Sequence, residues 1–136
     1  MTQLELPLAV SMCEAAIAEA TGREALVSVA VVDGGGHLVA FQRMDGAEIA
    51  GPTLASDKAY TAVAHRIATD ELTALTAPGG ALYGMNANGG GRYVAFAGGL
   101  PLWLDGRVVG GVGVSGGTAE QDLAAARAAA ALWDGD

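Results

Sequence analysis

Two Asp-Gly steps sit between apolar runs. ALVSVAVVD runs into Asp33-Gly-Gly-Gly36 and out into HLVAFQRM, and LPLWL runs into Asp105-Gly106 and out into RVVGGVGVS. An Asp-Gly step flanked by Val-rich segments is the strongest short-range signal for a β-hairpin, because the turn needs backbone angles that Gly adopts freely. Two hairpins commit the chain to an antiparallel sheet. A parallel, doubly wound sheet would need helical crossovers in those places.

Helical patterns fill the remainder. Leu6, Val10, Cys13, Ala16, Ile17 and Ala20 recur at helical spacing over residues 4–21, and Gly22 supplies a stop. The Gly51-Pro52 step breaks structure, and Thr53 caps a helix over residues 54–67. Thr69, followed by Asp70 and Glu71, starts a short helix. Residues 77–91, with six glycines in fifteen positions, form a loop. RYVAFA, residues 92–97, is a further strand candidate. Thr118-Ala-Glu-Gln121 fits a capping box for an Ala-rich helix over residues 118–133. The expected fold class is α+β, with a central antiparallel sheet flanked by helices in the order α-β-β-α-α-β-β-β-α. The 136 residues fit a single domain, 1–136.

Composition narrows the functions. The net charge is −8 and Lys58 is the only lysine, so a phosphate-binding basic patch is missing and nucleic acid is not an expected partner. No apolar run reaches membrane-spanning length, and the N-terminal stretch lacks the basic start of a secretory signal, so the expected location is cytoplasmic with no membrane association. Cys13, the only cysteine, reads as a small buried residue.

GVGVSGGTAEQD, residues 111–122, matches two motifs at once. Gly111 to Gly116 spells G-x-G-x-x-G, but no further strand follows to carry a ribose contact. Gly113 to Gly117 spells G-x-S-x-G, but no histidine follows Ser115. The plainer reading is a glycine-rich strand turning into a capped helix. The N–H groups at Gly116, Gly117 and Thr118 then form a candidate anion site.

The segment Gly98–Leu132, with VVDGGGHLVAFQRMDGA (31–47) and DKAYTAVAHRIAT (57–69), resembles the GlcG/HbpS-like haem-binding family, which includes the C-terminal domain of PduO-type proteins. The resemblance spans nearly the whole chain and is weakest over residues 77–92. It implies a profilin-like fold, homo-oligomers that are often octamers, and haem as a cofactor. It also implies links to iron sensing, cobalamin metabolism or glycolate use. His65 stands where an aromatic or other apolar residue is expected in that family.

Two functional readings follow. In the first, a small oligomeric protein binds haem or a related tetrapyrrole between helix 54–67 and the sheet. His65 is the candidate iron ligand, His37 a second cofactor-binding candidate, and the Gly116–Thr118 helix start holds a propionate. In the second, the same fold carries a cofactor-independent lyase, isomerase or hydratase acting on a small anionic metabolite. Lys58 binds the carboxylate, His65 moves the proton, and Arg43 assists. Lys58, Thr61 or Ala62, and His65 share a helical face. The alternatives are a solvated Lys58, a structural His65 bonded to a backbone carbonyl, and a structural or regulatory oligomer with no ligand. Asp33 reads as a turn residue.

Overall fold

The computed structural model describes residues 4–135. Its elements are α1 (Leu6–Gly22), β1 (Ser28–Asp33), β2 (Leu38–Arg43), α2 (Gly51–His65), α3 (Leu72–Thr76), β3 (Gly99–Leu104), β4 (Arg107–Ser115) and α4 (Ala119–Ala130). The four strands form one antiparallel sheet in the order β2-β1-β4-β3. Both expected hairpins are present, and their strands are the sheet's two outer pairs. Asp33 shapes the first turn: its Oδ1 accepts the N–H groups of Gly35 at 2.9 Å and His37 at 3.0 Å.

Helices cover both faces of the sheet. Alternation along β1 sends Val29 and Val31 toward α1 and α4, where they join Val112, Val114, Met12, Cys13, Ala16, Ala125 and Ala129 in the main core. Ala30 and Val32 point the other way, against Ala55 and Ala59 of α2. The outward positions of β4 on that side are Gly111 and Gly113. A Cβ at Gly113 would run into the Ala55 carbonyl and lie 2.6 Å from Ala59 N. The α2 backbone therefore rests directly on β4. Gly111 and Gly113 of the GVGVSGG stretch serve this contact, whereas Gly116 abuts Leu26 and Val27.

At Gly111 and Gly113 this packing leaves no side-chain-sized space between α2 and β4, within the region where a pocket between helix 54–67 and the sheet was expected. Three other expectations change. Gly51-Pro52 begins α2 rather than breaking the chain, because Pro at the first helical turn has no N–H to lose. Thr69 does not cap a helix. It is buried in a 3-10 turn (Thr69–Glu71), where its Oγ1 accepts the N–H of Gly99 at 2.9 Å. Residues 92–97 form no strand, so the described residues hold four strands where five were expected. Threonine hydroxyls serve that backbone in place of a ladder: Thr61 Oγ1 accepts from Val94 N at 3.0 Å, and Thr73 Oγ1 donates to the Ala95 carbonyl at 2.6 Å. The α+β class and the flanked antiparallel sheet stand.

The capping box of α4 forms as expected, with Thr118 Oγ1 accepting from Gln121 N and Gln121 Oε1 accepting from Thr118 N. The helix ends at Ala130, and Trp133 Nε1 then donates to the Trp103 carbonyl at 2.7 Å. Among the described residues no helix is long and apolar enough to cross a membrane.

Candidate functional site

Two constellations gather most of the candidate residues, and α2 contributes to both. The first is internal. Lys58 is 1% exposed, and its Nζ donates to Asp122 Oδ2 at 3.0 Å and to the Val114 carbonyl at 2.9 Å. The Phe96 ring lies 5.0 Å from the same nitrogen. Asp122 Oδ1 in turn accepts the N–H of Gly117 at 2.8 Å. Burial pushes the Lys58 ammonium below the usual lysine range, and the charge and hydrogen bond of Asp122 oppose that shift. Burial pushes the Asp122 carboxyl up, and Lys58 with the Gly117 and Gly116 N–H groups pulls it back. Desolvation thus works against the charged pair from both sides.

This arrangement also accounts for the helix start at Gly116, Gly117 and Thr118. The N–H of Gly117 goes to Asp122 and that of Thr118 to Gln121. The anion seated at this helix terminus is the chain's own carboxylate.

The second constellation lies where α2 meets residues 92–93. Arg92 Nε pairs with Asp57 Oδ1 at 3.0 Å, and the Arg92 guanidinium lies 3.7 Å from the centroid of Tyr60. Tyr60 stacks on Tyr93 with centroids 6.3 Å apart and planes 10° apart. Tyr93 meets His65 edge-on, with centroids 4.4 Å apart. The Nε2 of His65 is buried with no hydrogen-bond partner. Only a glycine fits at position 36, because a Cβ there would lie 2.8 Å from Tyr60. The first hairpin turn therefore abuts the cluster, and His37, exposed, is the next residue along it.

The fold does not unite the enzyme triad. Lys58 and His65 stand seven residues apart, about 10 Å along the helix at its usual rise, and no hydrogen bond or ion pair joins them. Arg43 ends β2, where its Nη1 donates to the Ala47 carbonyl at 3.1 Å and closes the following turn. Tyr60, Arg92, Tyr93, Asp122 and Phe96 are the participants that sequence reasoning passed over. Asp122 had a signal: a lysine on the inner face of a helix needs a carboxylate, and the capped helix start presents one. Tyr93 and Arg92 had none, since their partners lie about 30 residues away. A shallow groove of about 320 Å³, lined by Glu19, Arg23, Ala124, Arg127 and Ala128, lies on α1 and α4, apart from both constellations. No cluster of three or more His, Cys, Asp or Glu suited to a bare metal ion occurs among the described residues.

A family model described as haem degrading protein HbpS-like matches residues 4–131. The chain belongs to this HbpS-like family. An uncharacterized 15.0 kDa protein from the dhaT-dhaS intergenic region of Citrobacter freundii is 44% identical over 119 residues, covering 88% of this chain and 84% of that protein. The corrinoid adenosyltransferase PduO of the same organism is 41% identical over 120 residues, which are 88% of this chain and 36% of PduO. The chain thus spans about a third of PduO. Among solved structures, a PduOC:haem complex superposes with a TM-score of 0.92 at 39% identity, covering 97% of this chain and 96% of that one.

Proposed function

We propose that this HbpS-like chain binds haem or a closely related tetrapyrrole on the outer side of α2, with His65 as the iron ligand. The observation that carries the reading is His65 Nε2, a buried nitrogen without a partner. Burying a polar atom unpaired costs roughly 1–3 kcal/mol, and a ligand bond to iron would recover it. An imidazole nitrogen is an ordinary haem ligand. The surroundings suit the rest of the molecule. Tyr60 and Tyr93 offer flat aromatic surface, and Arg92 offers a cation whose Nε alone is committed to Asp57. The solved haem complex of PduOC, a structure closely similar to this chain, lends further support.

His65 would hold the iron, Arg92 would pair with a propionate, and the tyrosines would exclude water from the macrocycle face. Bound haem would supply the ligand exchange and redox chemistry of its iron. The Tyr93 ring, which meets His65 edge-on, would turn aside to admit the iron. His37 stands as the alternative ligand at the rim.

A haemin titration followed in the Soret region tests this. The expected result is a saturable Soret shift that is lost in His65→Ala and retained in His37→Ala. No shift in the unaltered protein overturns the reading. A shift that survives His65→Ala and disappears in His37→Ala overturns the ligand assignment.

A further inference from the structure

Lys58 is the only lysine in the chain, and haem binding at His65 does not use it. Its side chain is 1% exposed, and the ring of Phe96, itself 49% exposed, lies 5.0 Å from the nitrogen. The backbone around Phe96 is pinned at two points. The Ala95 carbonyl accepts from Thr73, and the Gly98 carbonyl accepts from Val114 N. Between them, no hydrogen bond anchors the N–H or C=O groups of Phe96 or Ala97.

We propose that Lys58 is an imine-forming residue that takes a small uncharged aldehyde, admitted when Phe96 turns aside. The geometry supplies both reacting groups: Nζ is the nucleophile and Asp122, 3.0 Å away, is the proton carrier. Transfer of one proton within the pair, from Lys58 to Asp122, supplies the free amine and the carboxylic acid; desolvation of both partners favours that transfer and their mutual charge opposes it. Nζ attacks the carbonyl carbon, and the carbonyl oxygen takes the Asp122 proton. The carboxylate then takes one proton from the nitrogen to leave a neutral carbinolamine. Asp122 returns that proton to the hydroxyl, which departs as water while the nitrogen lone pair forms the C=N bond. The products are one water and a protonated imine paired with the Asp122 carboxylate, where the ammonium sat before. No oxidant or reductant takes part.

Electrostatics selects the aldehyde class. With the shared proton on Asp122 the pair is neutral, and the remaining charge acting on Lys58 is the negative Glu48, so a keto acid or another anionic carbonyl compound is repelled. An alkyl or aryl tail would instead replace the contact made by the Phe96 ring.

The single lysine makes the test clean. The full chain is incubated at neutral pH with butanal and cyanoborohydride, which reduces an imine to a stable butyl amine, and the adduct is mapped by mass spectrometry after digestion. The expected result is a butyl group on Lys58 of the folded chain at a higher yield than on the chain unfolded in urea. Phe96→Ala, a change at a half-exposed side chain, is expected to speed the labelling about tenfold. An adduct confined to the terminal amine, or one that reaches Lys58 only after unfolding, overturns the proposal. Equal labelling rates with and without Phe96 overturn its role as the cover. Glyoxylate labelling as efficient as butanal labelling overturns the charge selection. None of these readouts involves haem, so they stand or fall apart from the titration of His65.

Discussion

Lys58 Nζ and Asp122 Oδ2 lie 3.0 Å apart in the interior, and through them α2 on one face of the sheet holds the first turn of α4 on the other. The link passes beside β4, whose Val114 carbonyl accepts a second bond from the same nitrogen. Neither partner can be removed without stranding the other.

Lys58→Met is therefore expected to cost about 3–5 kcal/mol of folding stability, the usual penalty for leaving one member of a buried ion pair alone. Urea denaturation measures it. A loss under about 1 kcal/mol would mean that Asp122 finds enough compensation in the Gly117 N–H.

Asp122→Asn should expose the titration of Lys58. The charge and hydrogen bond of Asp122 both raise the lysine's pKa, so their loss lets burial push it further down. Between that lowered value and the unfolded value of 10.5, the unfolded chain binds more protons than the folded one. Stability of the variant then rises with pH across this window, with a slope of up to ~1.4 kcal/mol per pH unit, and falls toward the acid side. Urea midpoints taken across neutral and alkaline pH should climb more steeply in the variant than in the unaltered chain. A flat profile contradicts the argument.

Gly113→Ala is expected to destabilise by about 3 kcal/mol, since the added methyl meets the backbone of Ala55 and Ala59 and α2 must shift off the sheet. Gly22→Ala is the control. Nothing lies within 4 Å of a Cβ at that helical position, so the change should be neutral or stabilising by up to ~1 kcal/mol. Thermal or urea unfolding of the two variants should separate them clearly.

The Cys13 thiol should resist alkylation in the folded protein. It is fully buried in the main core, and burial, with a smaller contribution from Glu14, pushes its pKa up to about 11. Three units below that value only about one thiol in a thousand is ionised. Iodoacetamide labelling followed by mass is expected to be complete in urea and negligible without it. Rapid labelling of the folded chain would show that α1 opens.

Local signals were legible where structure is made locally. The Asp33 and Asp105 turns, the Thr118–Gln121 box and the helical stripe of α1 all involve neighbours within a few residues, and all form as read. The strand read at 92–97 shows the limit. Its alternation is real, but Thr61 and Thr73, far away in sequence, satisfy its backbone first. The double motif at 111–117 is similar. The sequence shows a glycine-rich strand turning into a capped helix, but not that Gly111 and Gly113 are contact points for a helix that begins some 60 residues earlier.

The amino-acid sequence by itself determined the antiparallel hairpins, the helix periods and the HbpS-like membership, because turn chemistry, apolar spacing and motif phrases are properties of neighbouring residues. Only the tertiary structure decided which partners the candidate residues meet. It paired Lys58 with Asp122 across 64 positions, brought Tyr93 to His65, and sent Arg43 to a turn. Side chains on one helix face share a direction. Whether they meet a carboxylate, an aromatic ring or empty space depends on segments that only packing brings near.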